Sequence, residues 1–487
     1  MTNRSASASP VTTSPAIRRR GMLVASTVGG AGFAFGSPVF GNTSRVQGET
    51  SDGGLVRRGP ARSTILFFLC GGASHIDMWD LKPKAPIEYR GPFNPVSTSA
   101  PGVLLSEHLP LLSRQAHHLA LLNSVGAKVN TNDHHAGYYY NLTGHEPDPT
   151  FLSLGNNRTP MADDWPFMGS VVASRRPRHP WLPNAITLPH KPSKAPYTRP
   201  GQFSAKLGVE HDPLYLQGNA VEPLRFHAPS LKLMSGNDPG RMTSRRELLS
   251  AVDRSRQLLD GIAPAGTWSR QQDRAFSLLT SSQTAEAFDV SSEPESLRQR
   301  YGETVNGMSL LMARRLVEAE VPFITVFWKE NEKLAKACKS AGGWDTHGDN
   351  FNCLKNYLLP EFDRCYSALI EDLADRGLLE QTLVLVTSEM GRTPKIGDRR
   401  SGGAAGAGRD HWTHCLTDVM AGGGIKGGQT YGSSDRLAEY PAEKPLTPAD
   451  VTRTVYHAMG IQDLQAVDAE GRPFNLLSEG DVISDLF

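Results

Sequence analysis

Carboxylates and imidazoles recur together along this chain. Asp345 and His347 lie in GGWDTHGDNF (342–351), and Asp410 and His411 in GRDHWTH (408–414). Asp133, His134 and His135 lie in NDHHAGYYYNLTGHEP (132–147), and Ser74, His75, Asp77 and Asp80 in GGASHIDMWD (71–80). A carboxylate oxygen beside an imidazole nitrogen is the ligand mix favoured by Zn²⁺, Mn²⁺ or Fe²⁺. Residues two apart share a face only in an extended segment. Asp345 and His347 therefore read as a ligand pair, or as a turn aspartate capping the next helix beside a surface histidine. Asp410 and His411 are adjacent, so they can serve two neighbouring ions, or one ion and its surroundings, or can order a loop by bonding to each other. Neighbouring histidines point apart on regular structure, so at most one of His134 and His135 is expected to be a ligand. Asp77 is the preferred ligand of its segment, while Asp80 caps a turn or pairs with Lys82. Glu389 and Arg392, in TLVLVTSEMGRTP (382–394), offer a carboxylate for metal and a guanidinium for an anionic ester, or a salt bridge with each other.

These groups need elements to bring them together. TILFFLC (64–70), HHLALLNSVG (117–126), VPFITVFW (321–328) and TLVLVTS (382–388) are apolar runs of strand length, with LPNAITLP (182–189) weaker and CLTDVMAGGG (415–424) another short apolar run. GMSLLMARRLVEAE (307–320) and FNCLKNYLLPEFDRCYSALIEDLADRGLL (351–379) carry helical spacing, the second with a bend expected at Pro360, and RRELLSAVDRSRQLLDGI (245–262) is a further helical pattern. Helix alternating with strand predicts an α/β fold: a mostly parallel sheet flanked by helices on both faces. In such sheets ligands gather at the carboxyl ends of strands, where the runs ending near Cys70, Trp328 and Ser388 lead into polar loops. Residues 171–240, crowded with Pro, Arg, His and Gly, read as a loop-rich insertion. The three tyrosines Tyr138 to Tyr140 are expected to pack or line a groove.

A formal net charge of +1 gives no electrostatic footprint for nucleic acid or an anionic membrane. The five cysteines show no CxxC and no regular framework, and are read as mostly small buried apolar residues. Cys353 and Cys365, twelve residues apart on one expected helix, would be about 18 Å apart, too far to bridge. At the N-terminus, IRRRGMLVASTVGGAGFAFGSP (17–38) joins an arginine cluster to a mild apolar run and small residues suited to cleavage. It resembles a twin-arginine export signal, with Arg19-Arg20-Gly21-Met22-Leu23 at its core. The run from Met22 to Phe35, about 14 residues, falls short of the roughly 20 a membrane span needs. The expected organisation is a signal over 1–36, a linker over 37–60 and an α/β domain over 61–480. The mature protein is expected in the periplasm or outside the cell without a membrane span, tethered only if the signal stays uncleaved.

GGASHIDMWDLKP, GGWDTHGDNF, TLVLVTSEMGRTP, GRDHWTH and AGGGIKGGQTYGSSD, in this order, resemble the DUF1501 family of exported proteins of uncharacterised function, grouped by fold with the alkaline phosphatases and sulfatases. The resemblance implies an alkaline phosphatase-like fold and a metal-dependent hydrolase of phosphate or sulfate esters. Asp77, Asp345, His347, Glu389 and His411 would bind one or two divalent ions, Zn or Mn first and Ca or Mg next, with His135 or Asp410 completing the shell. Arg392 would stabilise charge on the transferred group. Aligning Leu142-Thr143-Gly144 with a sulfatase signature puts His134 where that family carries its nucleophile, so a metal-bound hydroxide would attack directly. The substrate would be a small-molecule or polysaccharide ester. The alternative is an exported binding or assembly protein that keeps the fold without catalysis, a reading supported by the missing nucleophile and by Met390 in place of a polar partner.

Overall fold

The computed structural model describes residues 61–129, 131–194, 197–228, 282–397, 408–468 and 470–487. The expected signal and linker, and the helical pattern at 245–262, lie outside the described residues.

The sheet strands, in chain order, are β1 (Ser63–Phe68), β2 (Leu119–Val125), β3 (Ala185–Leu188), β4 (Leu214–Tyr215), β5 (Phe323–Phe327), β6 (Thr382–Thr387), β7 (Leu416–Ala421) and β8 (Gln429–Tyr431). They form one 8-stranded sheet in the order β8-β2-β7-β6-β1-β5-β3-β4. β1 pairs in parallel with β5 and β6, and only β7 runs against its neighbours. The reason lies in β1 itself. Ile65 and Phe67 enter one apolar cluster while Leu66 and Phe68 enter the other, so the strand is buried on both faces, as parallel strands under two helical layers must be. On one face pack α3 (Val305–Glu318) and α4 (Leu359–Asp375); on the other pack α1 (His134–Thr143), α2 (Met168–Arg175) and α5 (Pro448–Ala458).

The predicted class and each predicted strand are present. Three details differ from the expectation. Within 171–240, besides the expected strand at β3, whose AITL is fully buried against β5, the short β4 joins the main sheet. The chain keeps packing beyond 480, with Leu486 fully buried. At the expected bend, Leu354–Leu358 form a π turn and Pro360 stands in the first turn of α4, where a missing N–H costs little.

The cysteine reading is corrected at one pair. Cys338 and Cys353 form a disulfide with Cα atoms 5.1 Å apart, while Cys70, Cys365 and Cys415 are free. The partners straddle an irregular loop whose return path no periodicity in the sequence reveals. That closed loop contains Asp345 and His347.

Because all strands but β7 point one way, the carboxyl ends of β1, β2, β5 and β6 and the start of β7 meet at one edge. The loops carrying the candidate residues emerge there.

Candidate metal centre

Glu389 follows β6 directly and is almost fully buried. Its carboxylate accepts hydrogen bonds from the Gly71 amide (2.8 and 3.0 Å) and contacts His134 Nδ1 at 2.9 Å. Gly71, at φ +126°, is required at this turn, since a Cβ there would overlap the backbone of Trp344 and Asp345. The end of β1 is thus pressed against the loop after β5.

His134 opens α1, whose N-terminus is capped by the Asp133 side chain. With Nδ1 on Glu389, its Nε2 lies 3.5 Å from Asp345 Oδ2. His347 Nε2 is 3.0 Å from Asp345 Oδ1, and its Nδ1 is 3.3 Å from Asp410 Oδ1. His411 Nε2 is 3.2 Å from Asp345 Oδ1 and 2.9 Å from His347 Nε2, while its Nδ1 faces the Asn132 carbonyl at 2.8 Å.

A carbonyl or carboxylate oxygen can only accept, so each of the three Nδ1 atoms carries a proton. In a neutral ring that leaves the Nε2 lone pair, and all three lone pairs face the Asp345 carboxylate. Lone pairs crowded at 2.9–3.5 Å repel unless a proton or a metal ion stands among them. A tetrahedral ion with bonds of about 2.0–2.1 Å has ligand atoms roughly 3.4 Å apart, close to this spacing. Imidazole ligands held through the far nitrogen by an oxygen are the usual support of a metal site. The residues therefore fit a divalent ion, with His134, Asp345, His347 and His411 as its ligand set and Glu389, Asp410 and the Asn132 carbonyl fixing the rings. Asp345 is open to solvent, its side chain 42% exposed, so the centre has an accessible side.

A proton and a metal ion compete for the same Nε2 atoms, so with no cation among them the rings meet Asp345 as Nε2–H donors. Burial alone would raise the Asp345 pKa, but hydrogen bonds from His134, His347 and His411, with Arg392 beside it, hold it far below the usual carboxylate range. Burial likewise opposes charge on Glu389, yet the hydrogen bond from His134 keeps its pKa low. The His134 pKa is raised: burial lowers it, and its bonds to Asp345 and Glu389 outweigh that. Burial depresses the pKa of His411, which favours the neutral ring.

Five predicted residues sit elsewhere or act differently. Glu389, expected as a ligand, stands behind His134 and fixes its ring. Asp77 is fully buried in a two-pronged ion pair with Arg409 (2.8 and 2.9 Å), with further bonds from Ser74 and Asn350, and holds no place among the converging nitrogens. His135 turns its Nδ1 to the Arg158 carbonyl at 2.8 Å, so of the adjacent histidines it is His134 that joins the centre. His134, read from the resemblance as standing at the nucleophile's position, contributes a ring nitrogen to the ligand set. Arg392 is completely buried and donates to the carbonyls of Gly71, Gly72, Trp344 and Arg409 and to Asp345 Oδ1 (2.5 Å). It clasps the loops together and does not face a substrate. Asp80, as one alternative had it, pairs with Lys82 at 2.8 Å. Sequence reasoning assigned no role to Arg409, since nothing local marks which arginine is drawn inside to neutralise a buried acid.

A family model described as a protein of unknown function (DUF1501) matches residues 61–487. The chain belongs to the DUF1501 family. No curated protein matches it. Among solved structures, an alkaline phosphatase PafA mutant is 10% identical, with 89% of this chain and 100% of that chain covered and a TM-score of 0.40. The phosphonate monoester hydrolase SpPMH from Silicibacter pomeroyi is 13% identical over 82% and 73% of the two chains, TM-score 0.37. The PsFucS1 sulfatase from Pseudoalteromonas sp. is 12% identical over 84% and 68%, TM-score 0.37. Such scores are too low to carry an activity across.

Proposed function

We propose that this DUF1501 protein is a metal-dependent hydrolase of phosphate or sulfate esters. The observation that carries the reading is the convergence of three imidazole Nε2 atoms on Asp345, each ring fixed at Nδ1 by an oxygen. A borderline ion, zinc before manganese, suits three nitrogens and a carboxylate better than calcium or magnesium does. Such an ion supplies Lewis acidity, drawing charge from an ester oxygen and acidifying water at neutral pH. The chain's own part is to hold three neutral rings and one ionised carboxylate in place around the ion, with Glu389, Asp410 and the Asn132 carbonyl keeping each Nδ1 protonated. Arg392 binds the loops behind Asp345, so that carboxylate cannot swing away.

The experiment is metal analysis of the purified protein followed by aryl phosphate and aryl sulfate assays with and without chelator. Stoichiometric metal and chelator-sensitive turnover are expected. A second reading, an ester-binding protein without turnover, is favoured by the chemistry of the nearest thiol and hydroxyl. Burial pushes the Cys70 thiol pKa far up, and the Ser388 hydroxyl donates to the Leu69 carbonyl at 2.6 Å, so neither is poised as a nucleophile. Bound metal without turnover on both ester classes would select it.

Export by the twin-arginine route is part of the proposal. The Cys338–Cys353 disulfide supports it, since such bonds persist in oxidising compartments. No helix among the described residues is long and apolar enough to cross a membrane. The proposed substrate is a small-molecule or polysaccharide ester.

A further inference from the structure

The role expected of Arg392, a cation facing the substrate, falls to no residue of the metal centre itself. Next to the centre stands a guanidinium that sequence reasoning passed over. Arg199 is half-buried and lies 4.7 Å from the centroid of the Tyr138 ring. Tyr138 is one helical turn beyond His134 and stacks on Phe68 (4.8 Å) at the end of β1, with Phe327 of β5 completing an aromatic floor. Because His134 and Tyr138 lie on the same helix one turn apart, the guanidinium over the Tyr138 ring stands beside the metal-ligand cluster.

Beyond Arg199 the same edge carries Lys329 after β5 and His190 after β3. His190 packs its ring against Phe327, is influenced by Lys329, and leaves its buried Nδ1 without a hydrogen-bond partner. No ion pair engages the Arg199 guanidinium or the Lys329 ammonium among the described residues. The acids sharing this neighbourhood are Glu389, already bonded to Gly71 and His134, and the exposed Glu330. A half-buried guanidinium over an apolar floor with no carboxylate in ion-pair contact is a receptor for an anion, because low polarity strengthens the charge-assisted hydrogen bonds it can make. Neighbouring strands stand about 4.8 Å apart, so β5 and β3 put this compartment roughly 5–10 Å from the end of β1.

Resting on the hydrolase reading above, we propose that Arg199 and Lys329, with His190 between the strand ends, form an anion compartment beside the metal centre. It takes a second acidic group of the substrate, so the preferred ester carries two anionic groups about 5–10 Å apart. An acidic or multiply esterified sugar has this chemistry; a neutral monoester does not.

Two titrations test this. In chelated protein the metal centre cannot hold an anion, so calorimetric binding of inorganic sulfate reports the compartment alone. Arg199→Ala is expected to weaken it by about tenfold or more, with Lys329→Ala weaker in effect, while His347→Ala leaves it intact. In zinc-loaded protein, glucose 1,6-bisphosphate is expected to bind about tenfold more tightly than glucose 6-phosphate, and Arg199→Ala to shrink that ratio to about twofold or less at unchanged zinc content. Arg199→Lys, which keeps the charge and the stem over Tyr138, should restore part of it. Sulfate binding that survives Arg199→Ala, or equal affinity for the two sugars in the wild type, overturns the proposal. Failure to take up zinc would instead sink the metal reading, and the chelated titration would still decide this one.

Discussion

Asp77, in the short helix His75–Met78, and Asp345, in a loop, are both aspartates at the same sheet edge, and the fold treats them in opposite ways. Asp77 is sealed from solvent and met by a two-pronged guanidinium, so its charge is matched inside the protein. Asp345 is reachable from solvent, and around it three imidazole nitrogens crowd together beside the Arg392 guanidinium. A matched acid fastens elements together; an acid amid converging imidazole nitrogens can share a metal ion with them. The contrast shows why carboxylate–histidine motifs alone could not be ranked, since the difference lies in what else the fold delivers to each.

Several substitutions would break or sharpen the contrast. The largest effect is expected from His411→Ala or Asp345→Asn: loss of stoichiometric metal, on the order of a hundredfold or more in affinity, read by metal analysis after dialysis. Neither should unfold the protein. Asp77→Ala should do the reverse, costing about 3–5 kcal/mol of stability in denaturant melts because it strands a buried arginine, with metal stoichiometry retained in the folded fraction. Retention of full stability would show that Asp77 is not the fastener described.

Joint replacement of Cys338 and Cys353 by serine is expected to cost about 3 kcal/mol, the scale for a closed loop of 15 residues, and to loosen metal binding through Asp345 and His347. Asp410→Asn, which changes the partner of the far nitrogen of His347, should weaken metal affinity by about 10–100-fold without abolishing it.

The smallest effect concerns a third acid, Asp418 of β7, whose charge is met neither by an arginine nor by imidazoles. Burial pushes its carboxyl up to about 7, against a weak pull from the Thr387 hydroxyl. The folded state then binds a proton that the unfolded state releases, so this group's contribution to stability falls as pH rises from about 4 toward 7. Asp418→Asn should remove that slope and be the more stable form at pH 8, in urea midpoints followed against pH. An unchanged slope would mean the carboxyl is solvated.

Much of this protein was legible one segment at a time. Runs such as STILFF and TLVLVT must be buried on both faces, which already demands helices above and below a parallel sheet. Strand ends that run straight into polar loops placed Asp345, His347, Glu389 and His411 at one edge. The start of α1 was not legible this way: Asp133 caps a helix that already includes His134 and His135.

What the sequence could not determine was partnership. Whether Asp77 meets an ion or Arg409, 332 residues away in the chain, depends on how two loops cross. The choice between His134 and His135 turns on the phase of one helix against Glu389, and the fate of Arg392 on four carbonyls from three separate segments. Burial is a local property of apolar side chains and shows in their spacing. Charge matching is a property of distant groups brought within a few ångströms, and only the folded chain settles it.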